Sequence, residues 1–306
     1  MKTVGSASGA SPVADGTMLS HITAGLDGFP EGEDAAALGH TLAEVTGAEL
    51  MLVAVNPEPL LFLPVGVPWK ELRKEAHAML HRARAEFAPQ ARTVVETDFS
   101  VPRALHRVLR RVRGDLLVMG SSRHGPEGRV RIGQHTRQLL CQFECPLAIA
   151  PRGFAKRKQT GLSQIGVGFD DDPESQAALE FAASLAVAAG AELEVDAVVD
   201  DRPPLLGWTA GWRHGGTDWD ETVEAAVEKR RLDTEAAARA TGVSGRVEIK
   251  RGQPAQALLE LSQKVDLLIV GSRRWGPVSR VLLGSTGEAL LHDAACPVVV
   301  VPRPAA

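Results

Sequence analysis

Near the C-terminal end the stretch LIVGSRRWGPVSRVLLGS (268–285) holds a polar turn between two glycines, Gly271 and Gly284. Glycine tolerates positive φ and lets the backbone come close to a ligand. The segment from Ser285 reads as a helix, so Gly284, Ser285 and Thr286 would present free N–H groups and two hydroxyls at its start. Such an end suits an anion, phosphate above all. The same residues would also make an ordinary N-cap, where Ser and Thr are preferred whatever the ligand. No G-x-x-x-x-G-K-[ST] occurs, so any phosphate held here is held without the P-loop lysine.

Other reactive groups say less. The run Asp170-Asp171-Asp172 could help hold Mg²⁺ beside phosphates, since hard cations take carboxylate oxygens, or it is a solvated loop. Cys141 and Cys145 are spaced C-x-x-x-C without a matching His or Cys pair, so no metal site is assigned. Cys145 and Cys296 each precede an apolar run and read as small buried residues. RALHRVLRRVRG (103–114) reads as an amphipathic helix with a basic face. G-x-S-x-G and H-E-x-x-H are absent, and no general base or nucleophile can be placed, so the chain is not expected to be an enzyme.

The composition is that of a soluble globular protein: 44% hydrophobic and 24% charged over 306 residues, room for two ordinary domains. A net charge of -4 argues against nucleic acid as a partner. Three cysteines cannot make a disulfide framework and fit a reducing compartment. Residues 1–17 read as a flexible polar tail without a signal peptide, and no run approaches the ~20 apolar residues of a membrane span. A cytoplasmic location, away from membranes, is expected.

One domain is written twice. DLLVMGSSRHGP begins at Asp115 and DLLIVGSRRWGP at Asp266, 151 positions on, and the same offset carries Gly133 onto Gly284 and Cys145-Pro146 onto Cys296-Pro297. Earlier in each half the offset is 143: ITAGLD ends at Asp27 and IGVGFD at Asp170. The second copy therefore has a net eight extra residues, placed around LLGWTAGWRHGGTDWD. Boundaries follow at 18–153 and 163–306, with 154–162 as linker. Strand and helix signals alternate in each copy, and apolar runs such as LLIV and VVVV suit strands buried on both faces. The expected fold is α/β: two tandem doubly wound domains, each a five-stranded mainly parallel sheet with helices on both faces. Ligands in such sheets sit beyond the carboxyl ends of the strands at the switch point. Asp27 and Gly120 would meet there in one half, and Asp170 and Gly271 in the other.

The order of elements, the strand-end aspartate and the glycine loop resemble the universal stress protein family in its tandem form, over about residues 20–304 and including the closing CPVVVVP. Members that bind ATP carry G-2x-G-9x-G-[S/T]. Here Gly271, Gly284 and Ser285 match, while Arg274 replaces the middle glycine. The first copy reads Gly120, Arg123, Gly133, Gln134 and departs twice. The resemblance implies an adenine nucleotide alpha hydrolase-like fold and non-enzymatic stress-response binding of ATP or ADP, with or without Mg²⁺. It implies that Asp170 meets the ribose, the Val198 backbone the adenine, Gly271 the nucleoside, and Gly284, Ser285 and Thr286 the phosphates. Asp27, Val55, Gly120 and Gly133 would form the first-half counterpart. Arg274 would fill the phosphate space or pair with a phosphate, or else Gly276 and Gly125 would supply the missing flexibility. Binding is expected chiefly in the second domain. A ligand-free scaffold and a slow nucleotide hydrolase are the alternative functions. The family's dyad further implies antiparallel pairing of the two last strands and a homodimer.

Overall fold

The computed structural model describes residues 19–56, 69–140, 145–157, 161–202, 216–272 and 284–302. The N-terminal tail, most of the extra segment of the second copy and the loop carrying Arg274 and Gly276 lie outside them. The first half runs β1 (His21–Leu26), α1 (Pro30–Thr46), β2 (Glu49–Asn56), α2 (Trp69–Phe87), β3 (Arg92–Thr97), α3 (Val101–Val112), β4 (Leu116–Gly120), α4 (Gln134–Leu140) and β5 (Leu147–Ala150). The second half repeats it as β6 (Gln164–Phe169), α5 (Pro173–Ala189), β7 (Glu192–Val199), α6 (Gly216–Ala240), β8 (Gly245–Arg251), α7 (Pro254–Leu261), β9 (Leu267–Gly271), α8 (Ser285–Asp293) and β10 (Val298–Val301).

Local chemistry sets the boundaries. Pro30, Pro102, Pro173 and Pro254 stand in the first turns of α1, α3, α5 and α7, where a missing N–H costs nothing. Gly47 and Gly190 close α1 and α5 in the left-handed region, at φ 73° and 64°. The last strands start two residues after each Cys-Pro pair begins. Proline has no N–H to give, but the Pro146 and Pro297 carbonyls accept from Leu117 and Leu268, so each proline still contributes an acceptor to the ladder. Helix α7 stops at Leu261, and the chain continues toward Val265 in tight turns such as Gln263 N–H to the Glu260 carbonyl.

Each half is an all-parallel sheet in the order 3-2-1-4-5, and the halves fuse. Strands β5 and β10 pair antiparallel, Val298 opposite Ile149 and Val300 opposite Leu147, giving one ten-stranded sheet. Those strands would otherwise be apolar edges open to aggregation. All four residues of each are buried, and full burial of an aliphatic side chain is worth about 1.5–3 kcal/mol. Helices α1, α2, α5 and α6 cover one face and α3, α4, α7 and α8 the other, so each core layer continues across both halves.

One further contact locks the halves, and another fixes the segment between them. The first-half segment before α4 docks on the end of α8, with Val130 N–H to the Ala294 carbonyl at 2.8 Å and Ile132 N–H to the Leu291 carbonyl at 3.0 Å. Residue 153 and the first residues of the segment read from sequence as linker (154–162) pack against the first half. Gly153 turns at φ 79°, Phe154 is buried, and the Asp34 carboxylate accepts from the Gly153 and Ala155 N–H groups at 2.8 Å each.

Candidate functional site

In the second half β6 pairs with β7 on one side and β9 on the other, so the switch point lies at its carboxyl end. A crevice of about 380 Å³ opens there. Asp170, Val198, Gly271, Gly284, Ser285 and Thr286 all line it. Six of the seven residues assigned to this half from sequence thus converge; the seventh, Arg274, is not among the described residues. The floor is apolar, from Leu258, Val270 and Leu290, and the rim is polar.

The rim is organised by local turns. Asp171 holds φ 66°, a left-handed turn that an aspartate accepts more readily than most residues. Asp172 caps α5, its Oδ1 taking the Ser175 N–H at 2.6 Å. Burial, with the neighbouring Asp170 carboxylate adding to it, pushes the Asp172 carboxyl above the usual range. At the opposite wall Gly284 precedes the first turn of α8 at φ -64°, with no side chain of its own to satisfy the helix's free N–H groups. Positive φ is therefore not what glycine supplies at 284. Among the described residues, no side chain caps that helix end.

Gly271 has a different reason. A Cβ there would meet the Glu174 carbonyl carbon and oxygen at 2.5 and 2.6 Å, so the start of α5 can pack on β9 only if residue 271 lacks a side chain. Gly120 faces the Glu31 carbonyl in the same way, closer still. Both strand-end glycines are demanded by helix packing, whether or not a ligand is near.

The first-half residues also gather at their switch point, between β1 and β4, with different equipment. Asp27 follows β1 and its Oδ1 takes the Phe29 N–H at 3.1 Å. Val55 is half-buried on β2, and Gly120 ends β4. Gly133 precedes α4 in open space: among the described residues, an added Cβ would have only the Ser122 Cβ near it, at 3.9 Å. Arg123, at the middle-glycine position, lies over the Phe29 ring, 5.0 Å from its centroid, and its charge reaches Asp27. Burial nonetheless dominates and raises the Asp27 pKa. Among the described non-glycine residues only Arg113 and Asp171 have positive φ, so Arg123 needs no glycine-like backbone. Gly125 is not in the positive-φ region either; Gly128, at φ 78°, makes that turn.

Two residues of the second crevice were missed in the sequence. Arg230, on α6, brings a half-buried guanidinium to the crevice. Asp196, on β7, is 1% exposed and bonds Lys250 Nζ at 2.5 Å. Glu194 and Glu248 lie beside it, the three carboxylates within 4.8 Å of one another. Asp196 was visible as a charge inside the apolar ELEVDAVV run, opposite Val53 of the first copy. Arg230 carried no such mark, since the extra segment before α6 hides its repeat partner.

The sequence model of the universal stress protein family matches residues 18–151 and again 162–302. The chain belongs to the universal stress protein family. A universal stress protein of Mycobacterium tuberculosis is 28% identical over 296 residues, 91% of this chain and 96% of the relative. One from Mycolicibacterium smegmatis is 33% identical over 140 residues, 45% of this chain and 47% of that relative. Among solved structures, a universal stress protein from Archaeoglobus fulgidus superposes with a TM-score of 0.64 at 18% identity, over 93% of this chain and 98% of its own. The tandem α/β fold read from the sequence is thereby confirmed. Among the described residues of this universal stress protein, no helix is long and apolar enough to cross a membrane.

Proposed function

We propose that this universal stress protein binds an adenine nucleotide, ATP or ADP, in its second-half crevice and acts by binding rather than turnover. The observation that carries the reading is the convergence of Asp170, the Val198 strand end and the uncapped start of α8 around one apolar-floored cavity. Base and sugar would lie on Leu258, Val270 and Leu290, with the Val198 backbone at the base and Asp170 accepting from the ribose hydroxyls. Phosphates would meet the Gly284–Thr286 N–H groups and the Ser285 and Thr286 hydroxyls, where helix polarity favours negative charge. The Arg230 guanidinium adds a cation that can pair with a phosphate.

Mg²⁺ arriving with the phosphates fits the rim in part. It would relieve the crowding of the Asp170 and Asp172 carboxylates, of which Asp172 is already engaged as a cap. No positioned general base is part of this reading. Cytoplasmic residence and association into a homodimer complete it.

In the first half, Arg123 lying over Phe29 beside Asp27 favours a scaffold role. Mass spectrometry of protein denatured directly after purification tests the reading. An adenine nucleotide near one per chain is expected, and its absence, with no binding of added ATP or ADP by calorimetry, would overturn it. Phosphate release above background would overturn the non-enzymatic part. Sedimentation at micromolar concentration as a monomer would overturn the homodimer.

A further inference from the structure

Asp196 lies in the crevice wall, on β7 opposite Gly168 of β6. Its Oδ2 takes the Lys250 ammonium at 2.5 Å. Its Oδ1 is buried and, among the described residues, has no hydrogen-bond partner. A desolvated acceptor left without a donor is costly, and natural interiors rarely tolerate one. Burial outweighs the pull of Lys250 and holds the Asp196 carboxyl above the ordinary aspartate range, as expected of a group short of a partner.

The register shows that this wall is particular to the second half. Gly168 pairs with Asp196, as Gly25 pairs with Val53; Asp196 pairs with Glu248, as Val53 pairs with Val94. An apolar Val-Val pair has become a buried carboxylate with a lysine and two further acids. The acids do not make a convincing cation site. The Lys250 ammonium already stands at 2.5 Å from Asp196 and 4.0 Å from Glu248, and a divalent ion would have to expel it. A neutral N–H donor needs no such exchange. The neighbouring surface of Gly168, Leu258 and Val270 suits a flat ring carrying that donor.

We propose that Asp196 Oδ1 accepts a hydrogen bond from the amino group of the bound base, making Asp196 the residue that distinguishes an aminopurine from a purine lacking that group. This rests on the nucleotide reading above. A site built around an N–H rejects the analogue without it far more strongly than an apolar pocket rejects a lost methyl group, because the buried acceptor is then left unpaired.

The test is calorimetric titration of the full chain with ATP, with purine riboside triphosphate, which has hydrogen in place of the 6-amino group, and with inosine triphosphate. The wild type is expected to bind ATP at least tenfold more tightly than purine riboside triphosphate. Asp196→Asn keeps a carbonyl for Lys250 and can turn the free acceptor into a donor, so its preference should move toward the 6-oxo group of inosine triphosphate. The double change Asp196→Val with Lys250→Met restores an apolar wall without stranding a charge, and should bring ATP and purine riboside triphosphate to near equality. If the double variant fails to fold, Asp196→Asn decides alone. Equal wild-type affinities for ATP and purine riboside triphosphate, or a preference that Asp196→Asn leaves unchanged, would overturn the assignment while leaving the nucleotide reading intact. No wild-type binding of any of the three would overturn that reading and this assignment with it.

Discussion

The two crevices share a backbone plan and differ in nearly everything that could touch a ligand. At the switch point of the first half stand Val53, Met119, Arg123 over Phe29, and Gln134 at the start of α4. At that of the second stand Asp196, Val270, the Asp170–Asp172 turn, and Ser285 with Thr286 at the start of α8. Duplication preserved what the fold requires, while the polar contents drifted apart. The strand-end glycines belong to the first class; Gly133 and Gly284 also match, but the residues that follow them, Gln134-His135 and Ser285-Thr286, belong to the second. Each can be tested separately.

The largest effect is expected at Gly271 and Gly120. Valine at either site would drive a side chain into the backbone of the facing helix, at Glu174 or Glu31. Overpacking against backbone should cost on the order of 3 kcal/mol or more, with or without nucleotide. Denaturant unfolding should show both variants severely destabilised. Full stability with only binding lost at Gly271→Val would make that glycine a ligand residue first.

Gly284→Val should do the reverse: nearly native stability and at least tenfold weaker nucleotide binding. Hydrogen bonds to charged groups are worth about 1.5–3 kcal/mol each, so obstructing one or two N–H groups is enough. Gly133→Val should leave calorimetric affinity within about twofold, since Gln134 and His135 replace the hydroxyl pair there. Two equivalent sites per chain, or binding abolished by the Gly133 change alone, would end the proposed asymmetry.

Much of this comparison is legible in the amino-acid sequence. Alternating strand and helix signals and the repeat at Asp115 and Asp266 point to the tandem fold, because periodicity and proline or glycine punctuation act locally. The antiparallel union of β5 with β10 follows from the family resemblance and the need to cover two apolar edges. Why Gly271 must be glycine is not legible, because its reason is the carbonyl of a helix about a hundred residues earlier. The same holds for Asp34, whose partners are N–H groups beyond the end of β5. Long-range register, not residue type, exposes these roles. Asp196 lies between the cases, since its charge shows in the sequence but its unpaired oxygen does not.

A modest effect on stability separates the sheet edges. In the first half Asp98, just past β3, is buried and receives Arg103 Nε at 3.0 and 2.9 Å and Arg107 Nη1 at 3.0 Å, tying α3 to the sheet. The corresponding residue of the second half is Gly252: its N–H bonds the Val199 carbonyl as that of Asp98 bonds Asn56. Glycine has no carboxylate, so that half lacks the latch. The Arg103 hydrogen bond, ahead of the burial that opposes it, holds the Asp98 carboxyl below its ordinary 3.8. A carboxylate with a lowered folded-state pKa stabilises the fold above its unfolded pKa, and the contribution disappears as pH falls through the folded one. Both arginines are about half exposed, so screening reduces the value of the pair to about 1–2 kcal/mol. Asp98→Asn should therefore be less stable than wild type by that amount at pH 7. The gap should begin to close as pH drops below about 3.8 and narrow further toward the lowered pKa. Urea melts of both proteins across that range would check it, and a gap independent of pH would show that Asp98 acts through shape rather than charge.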